Sequence, residues 1–390
     1  MADNRILVLA DDLTGALEVG AKFAASGLTS LAWTAAALLP PDLQNAVGAL
    51  VVDTETRHDA PAEAARKVYQ FSRAAYDQRF SHIFKKTDST LRGNIGAELT
   101  ALVEAFDGAP LFYVPAYPQM GRTVRAGSLY VNGVLVTSTH FANDPFNPVT
   151  ESHIPTLLKS QCRLSIHSGP VADVANSDPG GIVICDGETD AEVESAARAF
   201  VRSSTFRLAA GPAAFATHLA HLVDLPRKPP SPLPAIRNGL IVNGSLHPVS
   251  REQIEQAKQA GFNSIDRGTK TSTMDEGWTI LEPGTGTGGA TLDFAKGIAR
   301  SVCQILSTTS LDAMVIFGGD TAYAILEALG SPPLHLIGEV MEGVPISRIE
   351  AKHLGPRTGH RDRDLYLITK AGSFGSPTVL TTIRNSTGKE

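Results

Sequence analysis

The stretch Ile6-Leu-Val-Leu-Ala-Asp-Asp-Leu-Thr-Gly-Ala-Leu-Glu-Val-Gly-Ala-Lys-Phe-Ala-Ala-Ser26 opens on an unbroken apolar run, passes two acids and continues with helical spacing over 14–26. A continuous apolar run suits a strand buried on both faces, and a helix directly behind it opens a βαβ unit. The pattern recurs. Apolar runs at 49–53, 82–86, 111–114 and 181–185 predict strands, and helical spacing at 62–79 and 93–106 predicts helices between them. This alternation predicts an α/β fold on a largely parallel sheet. Tyr130-Val-Asn-Gly-Val-Leu135 interrupts it, and Asn132-Gly133 is a favoured two-residue hairpin turn, so an antiparallel excursion is expected there.

A chain of 390 residues exceeds what one hydrophobic core usually supports. The segment Pro226-Arg-Lys-Pro-Pro-Ser-Pro-Leu-Pro234 admits neither helix nor central strand, because proline removes donors and stiffens the backbone. It divides the chain into 1–225, a linker at 226–237, and 238–390. Beyond it, strands are expected at 240–243, 278–281, 313–317 and 365–369, and helices at 250–260, 291–306 and 321–329. The expected architecture is two α/β domains, each a mostly parallel sheet flanked by helices, with the active site in the cleft between them.

The net charge of −6 argues against nucleic acid or an anionic membrane as partner, since a basic face would supply such affinity. A local basic pocket for a small anion remains compatible with it. Cys162, Cys185 and Cys303 stand far apart without a CxxC pair, which disfavours a disulfide framework or a structural zinc site. The first apolar run is too short for a signal-peptide core, and no apolar stretch approaches the ~20 residues that span a bilayer. A reducing cytoplasm fits these features, and so does a homo-oligomer.

Asp11 and Asp12 fall where the first strand ends and the first helix starts, outside the carboxyl end of a strand, where open α/β sheets bind ligands. A carboxylate there could take the proton of a substrate hydroxyl. Asp12 could equally cap the helix, but a cap explains only one acid of the pair. Lys85-Lys-Thr-Asp-Ser-Thr-Leu-Arg92 repeats the arrangement of strand end, polar loop and helix. Asp88 and Ser89 could merely cap the helix there. Arg92 near a helix N-terminus is suited to grip a carboxylate through its planar fork. Arg122 and Thr123, in the loop after the next strand, could add a second cationic grip.

The second half carries a different chemistry. Residues 313–317 run into Gly318-Gly-Asp-Thr321, and glycines at such a turn let backbone amides approach phosphate oxygens. Asn243-Gly-Ser245 and Lys370-Ala-Gly-Ser-Phe-Gly375 also follow strands, and Lys370 could meet a phosphate. Each of these alone could be an ordinary tight turn. Gly284-Thr-Gly-Thr-Gly-Gly289 satisfies GxGxxG, but Pro283 sits in the turn and no second strand ends in an acid at the expected distance.

Ala10-Asp-Asp-Leu-Thr-Gly-Ala16, Lys86-Thr-Asp-Ser-Thr-Leu-Arg-Gly-Asn94, Tyr130-Val-Asn-Gly133, Gly318-Gly-Asp-Thr321 and Lys370-Ala-Gly-Ser-Phe-Gly375 resemble, in order, the four-carbon acid sugar kinase family. The resemblance implies ATP-dependent phosphorylation of threonate, erythronate or a related acid, with magnesium bridging the phosphates. It implies that the N-terminal domain holds the acid and the C-terminal domain holds the nucleotide. Position by position, it assigns Asp11, Asp12, Asp88 and Arg92 to the acid, and the reading of the loops adds Ser89, Arg122 and Thr123 to that side. It assigns Ser245, Gly318, Gly319, Asp320, Thr321 and Gly372 to ATP, with Lys370 nearby. Which of Asp11 and Asp12 is the base stays open, and no residue is assigned to a protein-held metal. Two rival readings are an NAD-dependent hydroxy-acid dehydrogenase working through 284–289 and a nucleotide-binding regulator without catalysis.

Overall fold

The computed structural model describes residues 3–34, 47–174, 181–203, 205–267, 277–282, 292–354 and 362–388. It divides into two compact units, one of Met1–Thr29 with Ala36–Lys228 and one of Ser30–Ala35 with Pro229–Glu390.

In chain order the first unit begins with β1 (Asp3–Ala10) and α1 (Leu13–Ala25); the next strand, β2 (Ser30–Thr34), belongs to the second unit. The first unit resumes with β3 (Ala49–Asp53), α2 (Pro61–Asp77), β4 (Phe80–Lys86), α3 (Ile95–Ala105) and β5 (Leu111–Tyr113). An antiparallel sheet of β6 (Arg122–Arg125), β7 (Ser128–Val131) and β8 (Val134–Leu135) follows. Asn132 and Gly133 take φ of +50° and +80° between β7 and β8, the backbone a two-residue hairpin of this kind needs. The unit ends with α4 (Ile154–Gln161), β9 (Ile166–Gly169), α5 (Val171–Val174), β10 (Ile182–Cys185), α6 (Asp190–Arg202), β11 (Leu208–Gly211) and α7 (Ala213–Leu222). Its strands are parallel in the order β3-β1-β4-β11-β5-β10-β9. Every residue of β3, β10 and β11 is buried, which is why parallel strands covered on both faces read as apolar runs. Strand β11 inserts between β4 and β5, a position for which the sequence reading has no strand.

Residues 224–236 carry neither helix nor strand. The second unit then follows as β12 (Gly239–Asn243), α8 (Pro248–Gln259), β13 (Asn263–Asp266), β14 (Trp278–Glu282), α9 (Leu292–Thr308), β15 (Ala313–Phe317) and α10 (Gly319–Ala328). It closes with β16 (Leu334–Met341), β17 (Val344–Ile349), β18 (Leu365–Lys370) and α11 (Val379–Thr387). The order β13-β14-β12-β15-β18 is parallel throughout, and β17, β16 and β2 extend it antiparallel. The sequence reading has no strand at β2, β16 or β17. Ile241, Ile280, Val315 and Ile368 form the core with Leu380 and Ile383 of α11. Among the described residues no helix is long and apolar enough to cross a membrane.

Candidate active site

In the first unit the carboxyl ends of β3, β1 and β4 lie side by side, with Ala10 registered against Asp53 on one side and Lys86 on the other. The residues just beyond them build the site. Asp12 starts α1 by accepting the Gly15 N–H at 2.9 Å on Oδ1, a helix cap as its sequence position allowed. Its Oδ2 meets Arg57 Nη1 at 2.5 Å. Asp11 is buried, and both its oxygens accept from Arg57, from Nε at 2.7 Å and Nη2 at 3.0 Å. Arg57 therefore holds both acids, with Asp88 Oδ1 at 3.8 Å from the same Nη2. It follows β3 by four residues, in a segment fixed by amide bonds from Thr56 and Arg57 to the Asp11 carbonyl.

The loop after β4 is shaped by Asp88, which does not cap α3. Its Oδ2 accepts from the Thr90 N–H at 2.9 Å and the Thr90 hydroxyl at 2.5 Å, closing a local turn. Leu91 and Gly93 take φ of +68° and +90° as the chain reverses. Arg92 donates to Asp88 Oδ1 from Nη2 at 2.8 Å and to Asp144 Oδ2 from Nη1 at 3.3 Å. Behind the loop, Lys85 is fully buried against Glu98 at 3.1 Å, and Lys86 Nζ lies 3.9 Å from Glu18. Lys86 Nζ and Asp12 Oδ1 both approach the face of Gly15 so closely that an added Cβ would sit 2.8 Å and 2.7 Å from them.

Ser89, Arg122 and Thr123 are half-buried. Arg122 opens β6 directly after Gly121, whose φ of +72° turns the chain. It donates from Nη1 to the Met120 carbonyl, while its Nε is buried without a hydrogen-bond partner among the described residues. Burial holds its pKa below the ordinary value; Asp88 raises it and Arg92 lowers it, so these groups share one field.

Burial alone would raise the Asp11 and Asp88 carboxyls. For Asp11 the charges of Arg57, Lys85 and Lys86 outweigh it and lower the pKa; for Asp88, Arg92 and Arg57 hold it well below the usual range. Glu98, Glu18 and Asp53 go the other way, raised chiefly by burial. The site is thus a set of fixed carboxylates and guanidiniums, with Asp11 and Asp88 buried.

In the second unit the three glycine-bearing turns follow β12, β15 and β18, which are neighbours in the sheet. The Gly244 N–H donates to the Phe317 carbonyl and the Gly318 N–H to the Lys370 carbonyl, both at 3.0 Å, so the turns are tied in sequence. Gly318 enters α10 with φ of +99°, a backbone glycine adopts freely. A Cβ on Gly244 would lie 1.8 Å from Thr321 Oγ1, and one on Gly372 would lie 2.0 Å from Ser245 Oγ. Asp320 stands exposed in the first turn of α10 beside half-buried Gly319. Lys370 does not extend toward this surface. Its ammonium donates to the carbonyls of Ala371, Gly372 and Phe374 at 2.8, 3.4 and 2.7 Å and sits 4.3 Å from the centre of the Phe317 ring. Burial pushes its pKa down to about 7. The GxGxxG motif at 284–289 lies outside the described residues.

The structure thus gathers Asp11, Asp12, Asp88, Ser89, Arg92, Arg122 and Thr123 in one unit and Ser245, Gly318, Gly319, Asp320, Thr321, Lys370 and Gly372 in the other. Arg57 and Asp144 escape the sequence reading. Nothing in Thr54-Glu-Thr-Arg57 marks an arginine that will hold two acids some 45 residues earlier in the chain.

A family model described as a sugar-binding N-terminal domain matches residues 6–219, and one described as a nucleotide-binding C-terminal domain matches 285–380. The D-threonate kinase of Bordetella bronchiseptica is 32% identical over 97% of this chain and 96% of its own length. The D-erythronate kinase of Heliobacterium modesticaldum is 25% identical over 96% of this chain and 94% of its own. The fold is similar to that of Haemophilus influenzae protein HI1011, with a TM-score of 0.73 over 98% of this chain and 100% of that one, at 18% identity. The chain belongs to the four-carbon acid sugar kinase family.

Proposed function

We propose that the protein transfers the γ-phosphoryl group of ATP to a hydroxyl of a four-carbon sugar acid of the threonate and erythronate class. The observation that carries this reading is the unequal treatment of Asp11 and Asp12 by Arg57. Asp11 has both oxygens bound and a side chain only 3% exposed, whereas Asp12 is held in place with 22% of its side chain open. An oriented, accessible carboxylate is what a base for an attacking hydroxyl requires, and a buried one is not. Asp12 is therefore the base, and Asp11 positions Arg57.

The substrate carboxylate needs cations. Arg122, whose buried Nε has no hydrogen-bond partner among the described residues, supplies one, and Arg92, whose fork is already held by Asp88 and Asp144, adds its charge at the same cluster, while Ser89 and Thr123 offer hydroxyls for the sugar. In-line transfer forms the bond from the sugar oxygen to phosphorus and breaks the bond to the β-phosphate oxygen. ADP leaves, and the hydroxyl proton passes to Asp12. Gly319 and Thr321 in the first turn of α10, where helix amides lack intrahelical acceptors, and the Ser245 hydroxyl supply donors for a phosphate cradle that the turns at Gly318 and Gly372 shape, and Lys370 braces the loop that carries Gly372.

Among the described residues no group of three or more His, Cys, Asp or Glu side chains could hold a metal. A magnesium ion entering with nucleotide phosphates needs one or two carboxylates only, and Asp320 is the carboxylate at the cradle. Such an ion neutralises phosphate charge.

ADP release with ATP and magnesium, measured against both enantiomers of threonate and erythronate with the neutral sugars as controls, tests the reading. Turnover confined to an acid supports it. ATP binding without turnover of any acid overturns it.

A further inference from the structure

The start of α3 carries two buried polar side chains, Asn94 and Glu98, to which the proposed transfer gives no role. We infer that they are positioning residues for the reaction, fixing from behind the loop that aims Arg57 at Asp12. The inference rests on the kinase reading above, with Asp12 as the base.

Asn94 stands just before α3, where an asparagine side chain ordinarily accepts from the amides of the first turn. It makes no such bond. Gln161 Oε1 takes that place, accepting from the Gly96 N–H at 2.7 Å and the Ala97 N–H at 3.3 Å. Asn94 Nδ2 donates instead to the carbonyls of Thr56 at 3.0 Å and Asp59 at 2.9 Å. One turn further on, Glu98 Oε1 accepts from the Thr56 hydroxyl, and Glu98 Oε2 pairs with Lys85 at 3.1 Å. The helix therefore grips Thr56 by both backbone and side chain.

On its other side the same loop is tied to the end of β1. The Thr54 hydroxyl donates to the Ala10 carbonyl at 2.7 Å, and the Thr56 and Arg57 amides donate to the Asp11 carbonyl at 3.0 and 3.1 Å. Thr56 is thus held between β1 and α3, and Arg57 is the next residue. Thr56 and Glu98 are 0% and 2% exposed, so they reach the reacting groups only through the residues they hold. A buried pair such as Lys85 and Glu98 is a weak source of stability, because desolvation offsets much of the attraction. Its worth here is geometric, since a displacement of about 1 Å near the chemistry can cost about 10²-fold in rate.

The test measures sugar-acid turnover, the KM for ATP and the melting temperature on the full chain, for Thr56→Val, Thr56→Ser and Asn94→Ala. Each is made in the wild-type and in the Arg57→Lys background. Thr56→Val keeps the shape and removes the hydroxyl, so kcat should fall by about 10- to 10²-fold with the KM for ATP unchanged. Thr56→Ser keeps the hydroxyl and should restore most of that loss. Asn94→Ala should move kcat in the same direction, and it decides the question alone if Thr56→Val does not fold. In Arg57→Lys, where the planar fork is already gone, both losses should largely vanish, because residues that act through one group are not additive. Full turnover in Thr56→Val and Asn94→Ala, with only the melting temperature lowered, overturns the inference and leaves the kinase reading standing. Losses of equal size in the two backgrounds also overturn it, since the residues would then act independently of Arg57. A wild type that binds ATP and phosphorylates no sugar acid overturns both.

Discussion

Arg57 donates to both oxygens of Asp11, at 2.7 Å from Nε and 3.0 Å from Nη2, and so spends most of its fork on an acid that solvent does not reach. What is left of the guanidinium, Nη1, orients Asp12. Removing one partner of such a pair strands the other charge in the interior, which costs about 3–5 kcal/mol. Arg57→Ala should therefore lower unfolding stability by about that amount and abolish turnover. Arg57→Lys keeps the charge but not the planar fork, so it should recover more stability than activity. Urea unfolding and turnover measured on the two variants check this; a lysine variant with full turnover would mean that fork geometry at Arg57 is dispensable.

The two acids should respond differently to the same change. Asp12→Asn removes an accessible base and keeps a side chain able to cap α1, so turnover should fall by about 10²- to 10⁴-fold with little change in melting temperature. Asp11→Asn leaves Arg57 without its main counter-charge and should cost stability first. If Asp11→Asn were the variant that kept its stability and lost its turnover, the roles would be reversed.

How much of this was open to sequence reading follows from which interactions are local. Residues 6–10 read as a strand because burial on both faces leaves no polar position, and Asn132-Gly133 read as a hairpin because the turn needs positive φ at both residues. The position of Asp11 and Asp12 at a strand end was legible for the same reason. Arg57 was not. Its meaning comes from the β1–β3 pairing, which puts Ala10 opposite Asp53, and no spacing within 54–57 encodes a partner so far back in the chain. Strands β16 and β17 escaped because Gly338 and Pro345 break the alternation that marks a hairpin strand. Lys370 was legible as a strand end, but the turn of its ammonium onto the loop that follows was not.

Acid should expose the pairing of Asp88. Its folded pKa lies well below the ordinary 3.8, set by burial working against Arg92 and Arg57. A carboxyl with a depressed folded pKa contributes stability that is complete above the unfolded value and is lost as pH falls through the folded one. The wild type should thus lose stability between about pH 5 and about pH 3, and Asp88→Asn, which already lacks this contribution, should lose less over the same interval. Glu98, Glu18 and Asp53 titrate in both proteins and largely cancel in the difference. Equal losses in the two would rule Asp88 out as the source.

Lys370 should act through the loop it holds. Lys370→Met removes the donor that three carbonyls of residues 371–374 share, and buried carbonyls left unpaired cost about 1–3 kcal/mol. The loop should loosen, raising the KM for ATP while the KM for the sugar acid stays the same. A direct phosphate contact predicts something else, a loss that Lys370→Arg largely restores by keeping the charge. Recovery in the arginine variant would favour that contact over bracing.

The glycines of the second unit give a steric version of the same test. A methyl on Gly244 would meet Thr321 Oγ1 at 1.8 Å, and one on Gly372 would meet Ser245 Oγ at 2.0 Å, so something in the cradle has to move. Overpacking of this kind costs about 1–3 kcal/mol. If the strain is relieved by displacing the turns, Gly244→Ala and Gly372→Ala should each raise the KM for ATP several-fold and leave the KM for the sugar acid unaltered. Gly261 supplies the control: its φ of +81° strains any side chain, yet a Cβ there meets nothing within 4 Å. Gly261→Ala should lower stability without touching the KM for ATP. Were all three variants to move stability alone, the turns at Gly244 and Gly372 would be places where the chain packs tightly and nothing more, because a phosphate cradle cannot be displaced without its ligand registering the change.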